Sequence, residues 1–219
     1  MSHKRMWSLG LLALVALVVS PRAAKADTVA IVTTAPTGSD TVNWSGGAPP
    51  TTSVGGIGVT SPNTDLIILQ QGASWFGNLN FGDFVLFATS GGPLTLNFSE
   101  GVSLAGAQIQ PNEASTFTAQ IQAFDGGTLL GTFTETGVST SFGDGSAIFL
   151  GFQDLTGANI TSIAFSVTTG PPFATSFVID TLDLAGGTPT PEPGSLLLLG
   201  TGLLGLGKLR RSKNGKRRP

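Results

Sequence analysis

Residues 117–134 read FTAQIQAFDGGTLLGTFT, and this stretch decides the fold class. From 116 to 123 the chain alternates strictly, with Phe117, Ala119, Ile121 and Ala123 set against Thr118, Gln120 and Gln122. A period of two puts one set on a buried face and the other toward water, the signature of an extended strand. Asp125-Gly126-Gly127 is turn chemistry, and residues 128–135 return to extended composition, so the pair is expected to form a hairpin.

The same grammar recurs outward from this hairpin. Residues 28–34 (TVAIVTT) read as a first strand, and 35–64 as a Pro/Gly/Thr/Ser-rich loop with short strands around Val42 and Ile57. Residues 65–70 (DLIILQ) read as a strand buried on both faces, and 84–89 as another. Further strands are expected at 93–98, 146–152, 160–168 and 176–184. In the last of these, Phe177 and Ile179 share one phase while Leu182 and Leu184 share the other, which predicts a bulge or two-sided burial near Asp180. Roughly ten short strands punctuated by Gly, Asp, Asn and Pro specify an all-β fold, a two-sheet antiparallel β-sandwich. No repeat of fixed period is present.

Charge is partitioned along the chain. Of eleven Lys and Arg, four lie in residues 1–26 and seven in 208–219, with none between. Twelve of the thirteen acids lie within 27–188, so that segment carries a formal −12 although the whole chain carries −2. Such a body repels phosphate backbones and anionic lipid, which excludes nucleic acid as a partner. The chain has no cysteine, so no disulfide staples it. A body of this length buries a sufficient core unaided.

Both ends read as targeting segments. Lys4 and Arg5, an apolar stretch over 9–19 and a small-residue site at Ala24-Lys25-Ala26 make a signal peptide cleaved after Ala26. At the other end, Pro191-Glu192-Pro193 precedes a nearly uncharged Leu/Gly span and a basic end that includes Lys208, Arg210 and Arg211. Residues 193–209 number 17, short of the roughly 20 that span a bilayer, so Lys208 and Arg210 would snorkel. The expected organisation is a signal peptide at 1–26, a sandwich domain at 27–188 and a sorting segment at 189–219. Signal and transmembrane helices flank the body.

Pro191-Glu192-Pro193, the short span and the Arg-rich end resemble, in order, the PEP-CTERM protein-sorting signal of Gram-negative bacteria. The same tail is also catalogued as an ice-binding-protein C-terminal segment. The resemblance implies transient anchoring in the inner membrane and processing near Pro-Glu-Pro by an exosortase-type enzyme. Delivery to the cell surface or the exopolysaccharide of a biofilm would follow. Segments 106–110, 117–134, 143–152, 158–167 and 177–184 are similar to the C-terminal half of many exported PEP-CTERM proteins, a jelly-roll resembling galactose-binding and carbohydrate-binding modules. That pattern often carries Ile-Asp-Asp where this chain has Ile179-Asp180-Thr181.

The body's chemistry is narrow. The chain's only histidine, His3, leaves with the signal peptide, and the body has no His, Cys, Lys, Arg or Tyr. Nucleophilic triads, Schiff-base lysines, imidazole zinc sites and cationic phosphate clamps are therefore excluded. A non-catalytic role is expected, with a two-carboxylate glycoside hydrolase as the enzymatic alternative. Calcium is the inorganic candidate, through Asp180 and Asp183 with Asp125 or Asp144, against solvated turn aspartates. Trp44 and Trp75, in NWSG and SWFGN, are candidate glycan-stacking platforms, against indoles that plug the core. Thr132, Thr134 and Thr136 would line one strand face, which raises an ice- or mineral-binding surface as a third reading.

Overall fold

The computed structural model describes residues 28–37, 39–169 and 176–186. The signal-peptide residues Ala24 and Ala26, the motif Pro191-Glu192-Pro193, the basic residues Lys208, Arg210 and Arg211, and both terminal helices lie outside the described residues. Among the described residues no helix is long and apolar enough to cross a membrane.

Twelve strands follow in order. They are β1 (Val29–Val32), β2 (Asp40–Val42), β3 (Thr51–Thr52), β4 (Gly58–Thr60), β5 (Leu66–Gln70), β6 (Phe84–Ala88), β7 (Leu94–Pro111), β8 (Thr116–Asp125), β9 (Thr128–Val138), β10 (Ile148–Asp154), β11 (Ile160–Thr169) and β12 (Phe177–Gly186). Every paired strand is antiparallel to its neighbour.

The long strand β7 turns this array into two layers. Its first part pairs with β11, as in Leu94↔Phe165 and Leu96↔Ile163. Its second part lies between β12 and β10, with Ala107 opposite both Leu182 and Leu150. The register against β11 jumps between Ser162↔Asn97 and Ile160↔Val102, so extra β7 residues bend the strand from one layer into the other. Gly101 sits in that bend, where a Cβ would stand 2.0 Å from the Ala158 carbonyl oxygen. Only glycine allows so close an approach.

One layer runs β5-β6-β12-β7-β10-β1, with β2 beside β6 along β12. The other runs β9-β8-β11-β7-β4-β3. The main core fills the space between them and includes Leu86, Ile109, Leu150, Phe152 and Ile179 from the first layer. The second contributes Leu96, Phe117, Ile121, Ile163 and Phe165. Each such side chain contributes about 1.5–3 kcal/mol of burial free energy. β8 keeps the expected alternation, with Phe117, Ala119, Ile121 and Ala123 all buried, and it pairs with β9 across Asp125↔Thr128.

Two strands refine the sequence reading. β12 has the bulge expected near Asp180, where the register shifts between Ile179 and Leu182, and it is buried on both faces. β5 does not have the two-sided burial its composition suggests. It pairs with β6 alone, at the edge of its layer, and Ile67 remains exposed.

Strands β6 and β12 carry a second, smaller core on their outer face. Residues 71–83 fold back there, so that Trp75 and Leu79 pack on Val85, Ala147 and Val178.

Candidate functional site

Both body tryptophans are buried, Trp44 at 1% exposure and Trp75 at 4%. This corrects the stacking-platform reading, because neither indole offers a face to a sugar ring. Their polar ends differ. Trp44 takes a left-handed backbone (φ 55°), closes a turn with Gly47 and donates its indole N–H to the Asp180 carbonyl at 2.7 Å. The bulge in β12 interrupts the ladder around that carbonyl, and the indole serves as its partner. Trp75 packs on Phe87 with ring centroids 5.5 Å apart, and its buried N–H has no acceptor among the described residues.

Around Trp75 two loops, 71–83 and 139–147, join into one surface. The Gly143 amide donates to the Gly77 carbonyl at 2.7 Å, and Asn80 and Asp144 form an antiparallel bridge. Buried amides fix the junction from below. Gln71 donates to the Gly77 carbonyl at 2.8 Å and accepts the Gly77 N–H at 3.0 Å. Gln110 accepts the Asn78 N–H at 2.9 Å and donates to Ser139 Oγ and the Thr140 carbonyl at 2.7 and 3.0 Å. Asn78 donates to the Val138 carbonyl at 3.1 Å and accepts the Thr140 N–H at 3.3 Å. A Cβ on Gly77 would lie 2.2 Å from Gln110 Oε1, so the amide reaches the backbone only because residue 77 is glycine.

Three phenylalanines stand out from this fixed junction. Phe76, Phe81 and Phe142 are 67%, 79% and 79% exposed, beside the exposed polar residues Asn80 and Asp144. The sequence reading singled out SWFGN for its indole, whereas the structure buries the indole and exposes the next residue. Exposed aromatics placed beside Gly, at Phe76-Gly77, Phe81-Gly82 and Phe142-Gly143, were the signal available.

Asp83 and Asp180 form an adjacent pair, whereas Asp40, Asp65, Asp144 and Asp154 are held by their own hydroxyl and amide donors. Asp65 accepts from Ser90, Asp144 from Ser146, and Asp40 from Ser53, Gly55 and Thr41. Hydroxyl and amide donors from Ser90 and Ser146 hold Asp65 and Asp144 below the usual carboxylate range. Burial works against ionisation of Asp154, yet donors from Thr156 and Asn159 outweigh it and leave that carboxyl lowered. These are turn and loop anchors.

Asp180 and Asp183 have different neighbours. The Asp180 carboxyl is pushed up to about 7, first by burial and then by the Asp83 carboxyl beside it. Asp183 is also raised by burial, against a hydrogen bond from Ser39. Asp125 lies at the β8–β9 turn and Asp144 at the loop junction. Among the described residues no three His, Cys, Asp or Glu side chains gather as metal ligands.

A cleft of about 390 Å³ opens between residues 33–35, Gln108, Phe149 and Glu135. Glu135 is the one carboxylate among its lining residues. The cleft therefore lacks the carboxyl pair that glycoside hydrolysis requires. Thr132, Thr134 and Thr136 do share an exposed face of β9, opposite Gln122, Gln120 and Thr118 of β8.

The described body is thus an antiparallel β-sandwich with a second core under a loop junction. The chain also carries the PEP-CTERM protein-sorting motif, matched at residues 189–212, which marks an exported protein processed at the membrane. No curated protein matches the chain. Among solved structures, CsCBM6-3 from Clostridium stercorarium in complex with cellobiose is similar at 16% identity and a TM-score of 0.31. The match covers 58% of this chain and 86% of that one. TmCBM61 in complex with β-1,4-galactotriose is similar at 12% identity and a TM-score of 0.24, with the same two coverages. Likeness at this level fixes neither a ligand nor a site.

Proposed function

We propose that this chain is a non-catalytic protein of the cell surface or extracellular matrix that associates with neutral polysaccharide after sorting. The observation that carries this reading is the charge partition. Every Lys and Arg lies in 1–26 or 208–219, the two targeting segments. The body that remains, 27–188, meets its surroundings through amides, hydroxyls, aromatic rings and carboxylates. Such a surface suits a neutral, hydroxyl-rich polymer and is repelled by polyanions. An exosortase-type enzyme is the processing partner this reading requires, the inner membrane is a transient station, and an exopolysaccharide or biofilm matrix is the destination.

Cell fractionation tests it. The full chain is expected in the surface and matrix fraction, and a chain lacking 189–219 is expected to accumulate in the periplasm. Identical distributions for both would overturn the sorting half of the proposal. Release of reducing sugar from neutral glycans by the exported chain would overturn the non-catalytic half.

A second reading rests on one observation, the exposed Thr132-Thr134-Thr136 face of β9 flanked by Thr118, Gln120 and Gln122. An ice- or mineral-facing role for that face predicts thermal hysteresis that Thr134→Lys abolishes.

A further inference from the structure

Large aromatic side chains on a monomeric surface are usually isolated. Here three of them flank a single backbone junction. Phe76 precedes Gly77 and Phe142 precedes Gly143, and those two glycines are hydrogen-bonded at 2.7 Å. Phe81 follows Asn80, which bridges to Asp144 immediately beyond Gly143. The fold has therefore brought residues about sixty apart in sequence to one rim and left all three rings exposed.

The rim stands on a fixed base. Gln71, Asn78 and Gln110 are buried: Gln71 pins Gly77 within its own loop, and Asn78 and Gln110 tie that loop to residues 138–140 and to β7. Holding the backbone that carries the rings before a ligand arrives lowers the ordering cost of binding. Beside Phe81 and Phe142 along the chain, Asn80 offers an exposed amide and Asp144 an exposed carboxylate, and hydrogen bonds from Ser146 keep Asp144 below the usual carboxylate range. Among the described residues the Trp75 N–H, buried beneath this junction, has no acceptor.

We infer that this junction is the polysaccharide-contact site, with Phe76, Phe81 and Phe142 stacking on sugar faces and Asn80 and Asp144 binding hydroxyls. The inference rests on the neutral-polysaccharide reading above and locates it on the molecule. Charge selects the ligand class. Asp144 and the cation-free body repel uronate, sulfate and anionic lipid headgroups. A neutral polymer meets no such penalty, and it offers apolar C–H faces to the rings and hydroxyls to the groups beside them.

The test compares the exported full chain with single Phe→Ser variants at 76, 81 and 142 and with the triple variant. Retention is measured on the neutral polysaccharide fraction of the producing cell, on alginate as a polyuronate, and on phosphatidylcholine vesicles. Wild-type protein is expected to be retained by the neutral fraction alone. Each single variant is expected to weaken retention about fivefold and the triple variant about a hundredfold, the scale of aromatic contacts. All three side chains are exposed, so unchanged melting temperatures are expected and would show that the variants fold.

If wild type and triple variant bind the neutral fraction equally, the site is wrong while the neutral-polysaccharide reading stands. If wild type binds no polysaccharide, both fall. Preference for alginate or for vesicles overturns the ligand class.

Discussion

Trp44 and Trp75 are the same residue type, buried to nearly the same degree, in opposite roles. Trp44 belongs to the main core and completes a broken ladder by giving its N–H to the Asp180 carbonyl. Trp75 belongs to the second core, has no acceptor for its N–H among the described residues, and supports a surface that displays Phe76 one residue away. The first region is satisfied from within. The second exposes three rings above its buried indole, which is how a contact surface differs from a packed one. Burial of the indole does not separate the two regions; the rings exposed beside it do.

The comparison is easiest to break at Trp44. Trp44→Ala removes a large core side chain and strands the bulge carbonyl, so a loss of about 3–5 kcal/mol is expected in urea unfolding. A loss below about 1 kcal/mol would show that the indole is not the keystone of the bulge.

The next effect is pH-dependent and belongs to the same bulge. Asp180 has its carboxyl raised to about 7 by burial and by Asp83, so the folded chain keeps a proton that the unfolded chain releases near 3.8. Stability from this group is full below that lower value and lost as pH rises through about 7. Asp183, raised by burial, acts in the same direction. The lowered carboxyls Asp65, Asp144 and Asp154 act oppositely, but only in acid, because above pH 5 they are ionised in both states. Between pH 5 and 8.5 the unfolding free energy is therefore expected to fall by about 2 kcal/mol. In Asp180→Asn most of that slope should vanish, and an unchanged slope would place the titration elsewhere.

In the other region, Gln110→Ala leaves the Asn78 N–H without its acceptor and frees Ser139 and Thr140. A cost of about 1–3 kcal/mol is expected. The same change should loosen the rim, so amide exchange at Gly143 should rise more than exchange in β8. Uniform protection across both would contradict the role given to the amide.

Trp75→Phe sharpens the contrast most directly, since it deletes an unpaired donor while keeping an aromatic ring. A change within about 1 kcal/mol, of either sign, is expected, whereas Trp44→Phe loses a made hydrogen bond and should cost more. Equal costs at both positions would erase the distinction. The smallest effect concerns calcium: with no cluster of three carboxylates among the described residues, millimolar calcium should leave the melting temperature unchanged, and a rise of several degrees would reveal a site.

Much of the fold was legible locally. The alternation of 116–123 and the Asp125-Gly126-Gly127 turn specified the hairpin, and the phase change in 177–184 announced the bulge near Asp180. Edge position was not legible: DLIILQ reads as fully buried, yet β5 has a neighbour on one side only. The length of β7 was hidden too, because SEGVS interrupts the apolar pattern where the strand bends between layers. The candidate site was half visible. SWFGN drew notice for its tryptophan, and only the pairing of Gly77 with Gly143 shows that its phenylalanine is the exposed partner.

Composition alone determined the chemistry left to this protein. With every cation outside the body and no His, Cys or Tyr within it, most catalytic and polyanion-binding roles were closed before any folding was considered. Period-two patterning determined that the body is β-structured, because alternation is a local property of the strand. Which residues meet was decided by tertiary structure. Phe76 and Phe142 are 66 positions apart, and Trp44 reaches Asp180 across 136. Contacts at that separation are set by how β7 bends and how the layers close, which no local pattern encodes.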